Sequence, residues 1–371
     1  MGPRQVGKTT LITQALEEVE VPHLFVTADN ITGDSGAWLR ANWDKARLEC
    51  RRQDSGEYLL VVDEAQKIDN WSEVVKREWD LDTFNRIPIK LVLLGSSSLL
   101  IQKGLTESLA GRFEVTDIPH WSYGEMKEAF GCTCEQYIWF GGYPGAYGLI
   151  QDEPRWRKYI QTTMIETSIT KDVLLLNRID KPALLRRLFD IGCRYSAQIV
   201  SMAKIQGELN ETGNLTTLSN YLHLLDVAKL LGGVEKYSPD IIRRRAAKPK
   251  FQVYNNALMS CMMEETYEEA KRDRNLWGRL VESAVGCHLQ ACSGEGGYKL
   301  FYWNESSMEV DYVLQRGHHT IGIEVKSGKA NHISGMKAFA NKYHPEALYI
   351  VGEEGITMEE FFNTNPAILF H

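Results

Sequence analysis

Eight residues near the start of the chain have the types and spacing needed to grip a phosphate. Gly2-Pro3-Arg4-Gln5-Val6-Gly7-Lys8-Thr9 follows the pattern GxxxxGK[ST]. Glycines let a backbone curl until its N–H groups face phosphate oxygens, and a helix opening at the lysine adds its positive end. On this reading Gly2 to Thr9, with Thr10, hold ATP. Lys8 pairs with the β- and γ-phosphates, and the Thr9 hydroxyl holds Mg2+. A second stretch, Leu59-Leu60-Val61-Val62-Asp63-Glu64, is an apolar run that stops at two carboxylates. Asp63 would reach the magnesium through water, and Glu64 would polarise the water that attacks the γ-phosphate. The plainer alternative is an acidic cap for the following helix. Ser96 and Ser97 end the next apolar run, where Ser96 would contact the γ-phosphate or simply form a turn. Arg112 would neutralise developing charge, within its own subunit or in a neighbour, or form a structural ion pair.

A second constellation lies near the other end of the chain. Glu324-Val325-Lys326 closes one strand-like run, and residues two apart on a strand share a face. Asp311, within Glu309-Val310-Asp311, sits on the neighbouring run, and Glu282 lies on the preceding helix. Glu282, Asp311 and Glu324 would hold a second magnesium, with Lys326 orienting or deprotonating water and steadying a phosphate. An exposed Glu–Lys ion pair is the ordinary alternative. Between the two constellations, Arg243, Arg244, Arg245, Lys248 and Lys250 form the densest positive cluster in a chain of net charge −7. Such a cluster would lie along a nucleic-acid backbone or be a solvated basic turn.

The elements that position these residues follow from hydrophobic spacing. Residues 23–27 read as a strand, and 58–62 and 90–94 are short apolar runs of the kind buried on both faces of a parallel sheet. In such sheets ligands gather beyond the carboxyl ends of the strands, where Asp63 and Ser96 fall. The phosphate-loop pattern begins at residue 2, so the strand that ordinarily precedes it is absent, and the sheet is expected to lack its first strand. A mis-assigned translation start, a truncation or a degenerate protein would each explain this. Residues 181–194, 199–209 and 216–231 carry apolar residues at helical spacing, and a hairpin over 232–254 follows. Three helices and a basic hairpin outline a winged helix, with Asn214, Thr216, Thr217 and Asn220 heading the recognition helix. The last stretch reads as a helix over 268–291, strands over 298–303, 309–314 and 320–325, a helix over 333–343 and a strand over 347–351. The expected division is 1–150, 151–260 and 261–371.

Taken in order, Gly2 to Thr9, Val62-Asp63-Glu64-Ala65-Gln66, Gly95-Ser96-Ser97, Ser108-Leu109-Ala110-Gly111-Arg112 and Phe140-Gly141-Gly142-Tyr143-Pro144 resemble the series found in prokaryotic AAA-type ATPases with a C-terminal domain of uncharacterised function. The resemblance covers nearly the whole chain. It implies a P-loop ATPase sheet, a winged-helix region and a small α/β restriction-endonuclease-like module. The C-terminal acids resemble the PD-(D/E)xK nuclease motif, although Val310 stands where the motif has proline.

The chain is 43% hydrophobic and 25% charged, a globular composition that excludes extensive disorder. No apolar run approaches the roughly 18–20 residues needed to span a bilayer, which excludes a membrane partner of that kind. Seven scattered cysteines favour reduced thiols and a cytoplasmic setting. The leading expectation is an ATPase whose nucleotide state controls a DNA- or partner-binding winged helix and a nuclease-like module, alone, as a homo-oligomer or with another protein. The alternatives are a nucleotide-dependent signalling scaffold without nuclease activity, and a magnesium-dependent nuclease with an inert ATPase part.

Overall fold

A computed structural model describes residues 1–53, 56–95, 109–174, 179–209, 214–245, 247–328 and 334–370, with the side chains of Arg243 and Arg245 excepted. The chain divides into two compact units, Met1–Pro119 and His120–His371. The expected boundaries at 150 and 260 both fall inside the second unit. The reason is a shared core: buried residues from Tyr123 to Phe370 pack into one cluster. Polar contacts reinforce it. Asn256 Nδ2 donates to the carbonyls of Ile138 at 2.7 Å and Leu280 at 2.9 Å, and Ser260 Oγ donates to Trp139 O at 2.5 Å.

The first unit is α/β, with a parallel three-stranded sheet in the order β1 (His23–Thr27), β2 (Tyr58–Asp63), β3 (Ile89–Leu93). Leu60, Val61 and Val62 of the central strand are fully buried, as an apolar run covered on both faces requires. Helix α1 (Lys8–Glu18) follows the phosphate loop. Helices α2 (Ser35–Arg52) and α3 (Trp71–Asn85) pack on each other through an ion network. Arg47 donates to Asp82 at 2.6 Å and Glu78 at 2.9 Å, and Trp43 Nε1 donates to Asp82 at 2.6 Å. Glu78 and Asp82 are buried, so these contacts compensate charge that water cannot reach.

The second unit is built on a six-stranded sheet in the order β5 (Lys250–Val253), β4 (Leu231–Lys236), β6 (Lys299–Glu305), β7 (Met308–Arg316), β8 (His319–Val325), β9 (Ala347–Val351). Its helical part contains α4 (Pro182–Arg194), α5 (Met202–Glu208) and α6 (Leu215–Val227). The antiparallel pair β4 (Leu231–Lys236) and β5 (Lys250–Val253) follows, and Ile199 bridges to Lys250. The connection between those strands holds a short helix, α7 (Ile241–Arg245), where the sequence suggests an open hairpin. The expected helix over 268–291 is broken at Asp273. Its carboxylate accepts from the N–H groups of Asn275 and Leu276 and starts α8 (Arg274–Gly296) afresh. Strands β6 (Lys299–Glu305), β7 (Met308–Arg316) and β8 (His319–Val325), helix α9 (Ser334–Tyr343) and strand β9 (Ala347–Val351) complete the unit. Among the described residues no helix is long and apolar enough to cross a membrane.

Candidate functional site

The phosphate loop, Lys8, Thr9, Asp63 and Glu64 come together in the first unit. Gly7 caps α1 with φ 86°, a left-handed conformation open to glycine, and no atom lies within 4 Å of where a Cβ would stand. Gly2 is needed for a different reason: a Cβ there would lie 2.3 Å from the carbonyl oxygen of Ile118. Met1 is tied to the same segment, its ammonium donating to Thr116 O at 2.6 Å and its carbonyl accepting from Ile118 N at 2.7 Å. No side chain caps α1 and no acidic residue sits in its first turn, so the positive end of the helix carries no carboxylate of its own.

Lys8 is buried, and its ammonium donates back to the loop carbonyls of Gly2 at 3.0 Å and Pro3 at 2.6 Å. Thr9 Oγ1 donates to Asp63 Oδ2 at 2.8 Å. The other oxygen of Asp63 accepts from the N–H of Glu64 at 2.9 Å. A hydroxyl and a carboxylate in contact at the foot of a phosphate loop are a donor set that fits magnesium. Glu64 does not act as a side-chain cap for the short turn that follows. It has φ 55°, and its carboxylate accepts from Gln66 Nε2 at 2.6 Å. Arg112 is placed differently from a free finger: it pairs with Asp80 at 3.6 Å and stacks 5.4 Å from the Trp79 ring centroid. Ser96 and Ser97 lie outside the described residues.

In the second unit the sheet brings the C-terminal acids to one face. Tyr312 stands opposite Ile323, a register that sets Asp311 beside Glu324. Asp311 Oδ2 accepts from Val325 N at 2.7 Å, and Lys326 donates to Glu324 Oε1 at 2.6 Å. The second oxygen of Glu324 is buried and has no hydrogen-bond partner. Burial, followed by the nearby Asp311 carboxylate, pushes the Glu324 carboxyl up to about 7. Burial likewise pushes Glu282 up to about 7 against the opposing pull of Lys250. Glu309, which the sequence pattern passes over, belongs with these acids. It stands two residues from Asp311 on β7 and so shares its face, a signal present in the sequence. One oxygen each from Glu282, Glu309 and Asp311 lies within 4.8 Å of the others. These acids border a cleft of about 830 Å3, also lined by Gln198, Lys236, Lys248 and Tyr302.

Lys250 is the principal correction to the expected nucleic-acid residues. It is wholly buried, and its ammonium pairs with Glu282, with Glu309 at 3.5 Å and with Asp311 at 4.0 Å. It also donates to the carbonyl of Asp311 at 3.1 Å. Burial alone would lower its affinity for a proton, but Glu282, Asp311 and Glu309 outweigh burial and raise it. A charge so enclosed is closed to a phosphate backbone. Arg244 is turned inward as well, 4.5 Å from the Phe301 ring centroid and donating to Ser238 O at 2.9 Å. Of the basic run, Lys248 is exposed, and the side chains of Arg243 and Arg245 lie outside the described residues. At the head of α6, Asn214 caps the helix by accepting from Thr216 N, while Thr216 and Asn220 are exposed.

Residues 1–127 match the AAA domain family. Residues 133–269 match a domain of unknown function (DUF8612), and residues 277–363 match another (DUF4143). An uncharacterized protein of Mycobacterium tuberculosis is 26% identical over 339 residues, covering 90% of this chain and 70% of the relative. An uncharacterized protein of Methanocaldococcus jannaschii is 24% identical over 274 residues, covering 69% of this chain and 58% of that protein. Among solved structures, Thermotoga maritima RuvB is 16% identical, covering 63% of this chain and 80% of its own, with a TM-score of 0.32. The Aeropyrum pernix ORC1 protein in complex with DNA is 15% identical, covering 73% of this chain and 86% of its own, with a TM-score of 0.27. Overlaps that low do not bear on function. The family match and the loop geometry together make the N-terminal region P-loop ATPase-like.

Proposed function

We propose that the chain is an AAA-type ATPase that binds and hydrolyses magnesium-ATP in its first unit, and that its nucleotide state controls the second unit, acting on or near DNA. The observation that supports this most directly is the hydrogen bond from Thr9 to Asp63 at the foot of the phosphate loop, with Lys8 beside it. Bound magnesium would supply charge neutralisation on the phosphate oxygens. Lys8 would leave the carbonyls of Gly2 and Pro3 for the β- and γ-phosphates. Glu64 would release Gln66, orient a water in line with the γ-phosphate and take its proton. Arg112 would serve as a finger only after parting from Asp80.

The helices α4, α5 and α6 with the β4–β5 pair support a winged-helix reading of the helical part, and exposed Lys248, Thr216 and Asn220 are its candidate DNA contacts. Glu282, Asp311, Glu324 and Lys326 on one face support a nuclease-like reading of the C-terminal part. A cytoplasmic setting and self-association belong to the same proposal. The test is a thermal-shift titration of the whole chain with magnesium-ATP beside Lys8→Ala. Stabilisation of the wild type alone is the expected result. No response in the wild type removes the ATPase reading.

A further inference from the structure

The acid triad of the second unit has the spacing of a cation site. Two oxygens bound to one hard divalent cation at about 2.0–2.6 Å stand at most about 4–5 Å apart. The nearest oxygens of Glu282, Glu309 and Asp311 meet that limit, lying within 4.8 Å of one another. A cation already stands among them, and it is the ammonium of Lys250. This side chain is wholly buried, while the acids retain exposure toward the cleft. An ammonium has three protons to donate. Here the atoms around it are Glu282 Oε1, the main-chain oxygen of Asp311 at 3.1 Å and Glu309 Oε1 at 3.5 Å. A separate observation points the same way. Glu324, only 7% exposed and beside Asp311, keeps one buried oxygen without any hydrogen-bond partner. The backbone of Lys250 is fixed on both sides, paired with Val234 and bridged to Ile199. Only its side chain is free to vacate the acids.

We propose that Lys250 is the resident cation of this cleft, and that a divalent metal ion enters the Glu282–Glu309–Asp311 triad only when the ammonium leaves it. The nuclease-like part is thereby held metal-free by a residue of its own chain. This deepens the nuclease-like reading and rests on it.

The test is Mn2+ binding to the whole chain without nucleotide, followed by calorimetry and by the electron-spin signal of free Mn2+. Lys250→Met is expected to bind one Mn2+ at least about tenfold more tightly than the wild type, because a unit positive charge has left the triad. Adding Asp311→Asn to Lys250→Met should abolish that gain. The proposal is overturned if the wild type binds Mn2+ in an Asp311-dependent way as tightly as Lys250→Met, or if Lys250→Met gains no site. Should Lys250→Met fail to fold, Lys250→Gln, whose neutral amide keeps two N–H donors for the carboxylates, takes its place and leaves the triad intact, and the same outcomes apply. DNA cleavage is read separately. A Lys250→Met protein that binds Mn2+ and cuts no DNA sinks the nuclease-like reading and leaves the metal exclusion intact.

Discussion

Each unit of this protein contains a lysine folded back onto oxygens of its own chain, and the two are held in opposite ways. Lys8 rests on the neutral carbonyls of Gly2 and Pro3. Lys250 rests among the carboxylates of Glu282, Glu309 and Asp311. Carbonyl dipoles hold an ammonium loosely, so on the proposed function an arriving phosphate, which carries full negative charge, would draw Lys8 off them. Carboxylates hold it far more firmly, and the species suited to their company is another cation. On these proposals the first lysine would wait for a ligand of opposite sign, whereas the second stands where a ligand of like sign would go. The lesson is that a retracted lysine is read from its partners: carbonyls mark readiness, carboxylates mark occupation.

The comparison breaks most visibly in stability. Lys250→Met should destabilise the second unit by about 3–5 kcal/mol, because it leaves buried carboxylates uncompensated. Lys8→Met should cost less, about 1.5–3 kcal/mol, the worth of a charge-assisted hydrogen bond to a carbonyl. Urea unfolding followed at both units measures this, and equal losses would erase the distinction. Glu64→Gln sharpens the first half: ATP should still bind, while hydrolysis falls by about a hundredfold or more in a phosphate-release assay. Retained hydrolysis would remove Glu64 from its role. Magnesium-ATP at about 100 times its dissociation constant should add about 2.7 kcal/mol to the wild type. It should add nothing to Lys8→Met, and a nucleotide response retained in Lys8→Met would take Lys8 out of the nucleotide site.

A smaller effect concerns acid. The carboxyls of Glu282 and Glu324 rise from an ordinary 4.5 to about 7 on folding. Between those values the folded chain binds more protons than the unfolded one, so stability falls as pH rises through this window. Melting of the second unit should therefore occur at lower temperature at pH 8 than at pH 5, and Glu324→Gln should flatten the difference. A slope unchanged by Glu324→Gln would place the pH response elsewhere.

What was legible in the sequence was local. The phosphate loop, the strand ending at Asp63 and the strands that carry Asp311 and Glu324 each declare themselves within a few residues, through glycine placement or alternation. What was not legible depended on distance along the chain. Lys250 lies next to a basic run and reads as part of it, and only the packing of β5 against α8 and the reach of the Lys250 side chain to β7 deliver it to acids 32 and 61 residues away by the numbering of Glu282 and Asp311. The boundary at Pro119 was hidden likewise, since Ile138 and Trp139 are claimed by Asn256 and Ser260 from beyond the helical stretch. Glu309 was within reach, being two residues from Asp311, but a pattern fixed on acid–x–lysine passes over it.

The pairing of β4 with β6 has a practical consequence. Glu235 pairs with Phe301 and Lys236 with Tyr302, and Tyr237 N donates to Tyr302 O at 2.6 Å, joining the helical part's strands to the rest of the sheet. A fragment beginning at residue 261 would strip β6 of that neighbour and expose its hydrogen-bonding edge, together with Phe301, which is buried in the whole chain and packs its ring on Tyr237. Raw edges of that kind recruit other chains. The C-terminal part expressed alone should therefore aggregate rather than behave as an independent domain, and its chemistry should be sought only in the intact second unit.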